Sequence, residues 1–97
     1  MHARVTTLHI RPDKVDETVA LFQQQIMPVV KAQAGYQGIQ LLVDRATGNG
    51  MAISFWNSEA EGQAYEASGT YRQMVGMVAA NFSAPPSPAT YEVAARE

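Results

Sequence analysis

The side chains able to do chemistry in this sequence are few. Histidine is the side-chain type suited to proton transfer at neutral pH, which makes His9 the general-base candidate. It closes a strand-like run, where a surface or capping role is the plainer reading. Trp56 is the sole tryptophan and stands where "ISFW" meets "NSEAE". Its indole N–H is a donor on an otherwise apolar side chain, so it either fills a core or walls a site. Tyr65 and Arg72 lie off the apolar stripe of the helices that follow and are placed to reach the same region. Tyr71 lies on that stripe, where packing is the plainer reading. Glu59, Glu61 and Glu66 are explained by helix capping and a solvated face. There is no paired-carboxylate signal, no glycine-rich phosphate loop and no Ser-His-Asp order. His2 and His9 have no carboxylates at matching spacing, so no metal is expected. The absence of cysteine removes disulfides, thiolate metal sites and thiol nucleophiles.

The composition narrows the class. Ninety-seven residues make a single domain, 1–97, with a thin core. A net charge of −2, with Lys and Arg scattered along the chain, argues against nucleic acid as a partner. The start, "MHARVTTLHIRP", has no continuous apolar stretch of the signal-peptide kind. No apolar run approaches the roughly 18–20 residues that cross a bilayer. A soluble cytoplasmic protein is expected, with no membrane partner.

The elements that must position these residues follow from periodicity and punctuation. "ARVTTLHI" (3–10) predicts a first strand, closed by Arg11-Pro12. Asp13 is the expected N-cap of a helix carrying Val15, Val19, Phe22, Ile26, Val29 and Val30 on one face. Pro28 is expected to kink or end that helix near Met27. Residues 36–44 and 50–57 predict a hairpin around "RATGNG". Ser58 with Glu61 makes a capping box for a short second helix, broken at "ASGT" (67–70). A third helix carries Tyr71, Met74, Val75, Val78 and Phe82 on one stripe. "SAPPSPA" (83–89) predicts a loop and "TYEVAAR" (90–96) a last strand.

The order β-α-β-β-α-β, its second helix split, predicts an α+β ferredoxin-like sandwich with a four-stranded antiparallel sheet. One alternation set is Val5, Thr7, Ile39, Leu41, Val43, Met51, Ile53, Phe55, Tyr91 and Val93. The other holds Leu8, Ile10, Leu42, Ala52, Trp56 and Ala94, diluted by Thr6, Gln40 and Ser54. Two apolar faces on one small sheet call for a second cover, and another copy of the sheet is the simplest. A homodimer closing toward a barrel is therefore expected. Met27, Met51, Met74 and Met77 suit adaptable core filling or a pocket for a flat ligand.

"RVTTLHI", Pro28, "AGYQGIQLLVDRATG", "ISFWNSEAE" and a terminal "YEV", in that order, resemble the antibiotic biosynthesis monooxygenase family of dimeric α+β barrels. The resemblance spans nearly the whole chain. It implies oxygenation of a small quinol- or anthrone-like aromatic without a cofactor, in a dry pocket with oxyanion donors. Under it, Trp56, Tyr65, Arg72 and His9 are the catalytic candidates. Thr6, Leu8, Trp56, Tyr71 and Val75 are the expected substrate-binding residues. A non-catalytic barrel holding a small apolar ligand is the alternative. A second alternative, haem binding or degradation, matches at Trp56 only. Thr6 or Thr7 replaces that branch's asparagine, and Val75 stands where its iron-ligating histidine would be.

Overall fold

The computed structural model describes residues 1–97. Four strands, β1 (His2–His9), β2 (Tyr36–Val43), β3 (Asn49–Trp56) and β4 (Ser87–Glu92), form one antiparallel sheet in the order β2-β3-β1-β4. This is the ferredoxin-like α+β arrangement, and the sheet is open, with β2 and β4 as its edges. No helix is long and apolar enough to cross a membrane.

Between β1 and β2 the chain runs through a 3₁₀ turn (Pro12–Lys14), α1 (Val15–Leu21), a π-helical turn (Phe22–Ile26) and α2 (Met27–Lys31). Asp13 is not the cap. Pro12 opens the segment, and neither helical start has a side-chain cap bond. Pro28 neither ends nor breaks the helix, which continues to Lys31. Its disturbance lies one turn upstream. A proline ring crowds the carbonyl four residues earlier and donates no hydrogen bond, and a widened turn relieves both problems. Phe22, Ile26 and Val30 stay aligned and buried against the sheet. Each such side chain contributes about 1.5–3 kcal/mol.

The hairpin sets a phase opposite to the one expected. Ile39 pairs with Ser54, Leu41 with Ala52 and Val43 with Gly50. Ile39, Leu41 and Val43 therefore lie on the helix-covered face with Thr6, Leu8 and Trp56, not with Val5, Ile53 and Phe55. An even-numbered turn between Val43 and Gly50 inverts which positions share a face. Gly48, at φ +82°, makes that turn possible, since a Cβ there would collide with the Ile10 carbonyl. Leu42 joins the uncovered face instead and is 48% exposed.

Ser58 caps α3 (Glu59–Ala67) as expected, accepting from the Glu61 N–H at 3.3 Å and donating to its carboxylate at 3.0 Å. The break falls at Ser68, and α4 (Gly69–Val78) follows directly. Phe82 lies past α4, buried beside Ile10. β4 begins earlier than expected, at Ser87, and includes Pro88. An edge strand tolerates this, because one row of its backbone donors has no ladder partner to lose.

Candidate functional site

A cavity of about 80 Å³ lies between the sheet and the helices. β1 contributes Arg4, Thr6 and Leu8 to it; Phe22, Ile26 and Val30 close one side. Met74, Val75 and Val78 of α4 close the other. The lining is mostly hydrophobic and contains no carboxylate and no imidazole. Its charged member is Arg4.

Arg4, Tyr65 and Tyr71 form a cluster. The Arg4 guanidinium carbon lies 4.9 Å from the Tyr71 ring centre and 5.8 Å from that of Tyr65. The two rings meet edge to face at 5.6 Å. In one continuous helix, residues six apart sit about 120° round the axis from each other. The break at Ser68 removes that separation. Its hydroxyl accepts from the Tyr71 N–H at 3.4 Å, capping α4, and donates to the Tyr65 carbonyl at 2.6 Å, closing α3. One serine thus turns the chain so that both tyrosines reach the same cavity wall.

Arg4 is 3% exposed. Glu66 Oε2 lies 3.2 Å from its Nη2 but outside hydrogen-bond geometry, so neither Nε nor Nη2 has a hydrogen-bond partner within the chain. Both nitrogens are buried. Burial pushes the Tyr65 phenol up to about 12, against the opposing pull of Arg4 and with a smaller push from Tyr71. Tyr65 is therefore a donor at neutral pH.

The anticipated residues divide. Thr6, Leu8, Tyr65, Tyr71 and Val75 all line the cavity. Trp56 does not: it is fully buried behind it, its indole N–H donated to Ser54 Oγ at 2.9 Å and its ring stacked on Tyr65 at 5.1 Å. Gly62 permits this, because a Cβ there would stand 3.3 Å from Trp56 Cδ1 and 3.5 Å from Arg4 Cδ. Arg72 is exposed and outside the lining. His9 is an odd-numbered position of β1, on the face opposite the cavity, and its Nδ1 sits 3.1 Å from Asn49 Oδ1. No group of three or more His, Asp or Glu side chains gathers to hold a metal.

Arg4 itself was not among the residues singled out from sequence. The available signal was its place two and four residues before Thr6 and Leu8, on the strand face that becomes buried.

Comparison with known proteins places this architecture. A family model described as antibiotic biosynthesis monooxygenase matches residues 1–77. Two curated relatives, uncharacterised proteins of Mycobacterium tuberculosis strain H37Rv, align over 58 residues, or 60% of this chain. They are Rv2558, 36% identical with 25% of its length covered, and Rv2557, 33% identical with 26% covered. The chain thus spans about a quarter of the length of these relatives. Among solved structures, Rv0793 of M. tuberculosis superposes with a TM-score of 0.76 at 18% identity, covering 98% of this chain and 96% of that one. A protein of unknown function from Nitrosomonas europaea, NE2512, gives 0.78 at 20%, covering 99% and 91%. An antibiotic biosynthesis monooxygenase gives 0.77 at 16%, covering 98% and 100%. At these identities the likeness is one of fold. By its sequence match over residues 1–77, the chain belongs to the antibiotic biosynthesis monooxygenase family.

Proposed function

We propose that this protein is a cofactor-independent monooxygenase that binds a small hydroxylated aromatic, of the quinol or anthrone kind, in the cavity beside Arg4. The observation that carries this reading is the grouping of Arg4, Tyr65 and Tyr71 on one wall of an otherwise apolar pocket. The aliphatic lining suits a flat ring, with its oxygen substituent toward Arg4 and the tyrosines; at about 80 Å³ the cavity must widen to take two or three fused rings.

The chemistry follows from those donors. The substrate enters as its enolate, the proton lost to solvent before binding; the guanidinium attracts that charge and the Tyr65 hydroxyl can stabilise it by donation. The ring carbon of the enolate donates an electron pair to O₂, forming a carbon–oxygen bond and, after protonation, a hydroperoxide. Loss of water then leaves a carbonyl. One oxygen atom replaces two hydrogens of the substrate and the other departs in water, so the ring methylene is oxidised by four electrons and O₂ is reduced by four. Exclusion of water by the apolar lining protects the carbanion from simple reprotonation.

The test is incubation of chelator-treated protein with an anthrone and with a dihydroxynaphthalene under isotopically labelled O₂. The expected outcome for the anthrone is a quinone carrying one labelled oxygen, formed well above the uncatalysed rate. Background rates with both compounds would favour the alternative, a barrel that binds an apolar ligand without turning it over.

The uncovered sheet face supports a second proposal. Val5, Leu42, Met51, Ile53, Phe55 and Tyr91 share it, with Met51 41% and Tyr91 58% exposed. We propose that a second copy covers this face, since contiguous apolar surface of this kind is rare on a monomer and a two-fold pairing covers both copies with one interface.

A further inference from the structure

We propose that the ligand of this cavity is an aromatic carboxylate, held by a two-point contact from Arg4. This rests on the reading that the cavity is the substrate site and goes beyond it in fixing the substrate's charge and the group that anchors it. The Nε–H and one Nη2–H of an arginine lie on the same edge of the guanidinium and point the same way. A carboxylate matches that edge with two parallel hydrogen bonds. Nε and Nη2 are the nitrogens of Arg4 that are buried without a partner. Arg4 is 3% exposed and lines the cavity.

A buried guanidinium with two unused donors is costly unless something meets them. Glu66 compensates the charge only in part. Its side chain is 37% exposed, it stands outside the lining, and it makes no hydrogen bond to Nη2. It is the acidic group paired with Arg4, and no carboxylate lines the cavity. Both nitrogens are covered, with Glu66 Oε2 3.2 Å from Nη2, so an incoming carboxylate must move the Glu66 side chain aside to take that edge, and would feel it as a like charge. The rest of the wall suits an arene. The Tyr65 and Tyr71 rings flank the guanidinium, and aliphatic side chains cover the opposite side. The lining contains no base, which also fits a ligand that is already ionised when it arrives.

The experiment measures binding alone, without oxygen, so that its failure is separate from failure of turnover. 1-Hydroxy-2-naphthoate and its neutral amide are titrated anaerobically by calorimetry into the wild-type chain, Arg4→Gln and Glu66→Gln at neutral pH and moderate salt. We expect the acid to bind the wild type at least tenfold tighter than the amide. Arg4→Gln should erase that preference, and Glu66→Gln should tighten the acid severalfold while leaving the amide unchanged. Equal affinities for acid and amide, or no binding of either, would overturn the proposal. So would an acid preference that survives in Arg4→Gln, or Glu66→Gln weakening the acid; in those cases Arg4 serves the fold, with Glu66 and solvent as its partners. Should Arg4→Gln fail to fold, the wild-type preference and the Glu66→Gln response decide the matter.

Discussion

The indole N–H of Trp56 is donated to Ser54 Oγ, two residues earlier on the same strand face, at 2.9 Å and wholly inside the protein. The donor that made Trp56 attractive as a catalytic group is thus already engaged. Its influence on the cavity passes through Tyr65, which stacks on it.

Replacing Trp56 with Phe is expected to destabilise the fold by about 2–3 kcal/mol, through a void in a close-packed interior and an orphaned Ser54 hydroxyl. Ligand affinity should change by less than about threefold. Denaturant melts and a binding titration check this. A variant as stable as wild type that no longer binds would return the indole to the site.

Tyr65 should ionise late. Its phenol is pushed up to about 12 from the ordinary 10.0, mainly by burial. The unfolded chain therefore loses this proton first as pH rises. Its contribution to stability is full below about pH 10, declines as pH climbs toward 12, and is gone above that. Tyr65→Phe should flatten that stretch of the stability profile and remove the latest phase of phenolate absorbance. A Tyr65→Phe titration that matches wild type would contradict the assignment.

The open sheet face gives a third expectation. Sedimentation equilibrium at micromolar concentration should return about twice the chain mass, and Ile53→Lys, at the centre of the face, should shift the population to monomer. A wild-type chain that stays monomeric would remove the second copy from the account.

Much of the fold was legible because it rests on local rules. The capping box at Ser58 and the break at Ser68 each follow from residues within one turn of each other, and the β-α-β-β-α-β succession from the periodicity of successive segments. The hairpin phase was not, since the parity of a turn inverts Ile39, Leu41 and Val43 together without changing their hydrophobic pattern. Arg4 escaped notice for a different reason. Its burial depends on Tyr65 and Tyr71, some sixty residues away. An arginine alone on a strand looks like a solvated charge. The enclosing rings bury it in the wall of a cavity. Conversely, Trp56 drew attention by rarity, which says nothing about whether its donor is free.

If oxygenation takes place in the cavity between Arg4 and α4, filling that cavity must suppress it. Val75 lines it and is half-buried, so Val75→Phe puts a ring into open space rather than into close-packed core, and cavity filling of this kind is commonly tolerated. Oxygen uptake is recorded for wild type and Val75→Phe with a panel of hydroxylated aromatic substrates, beside a thermal melt of each. The account predicts uptake by wild type with at least one member, a fall of tenfold or more in the variant, and melts within a few degrees of each other. Undiminished uptake in a folded Val75→Phe protein, or none from wild type with any member of the panel, would contradict it.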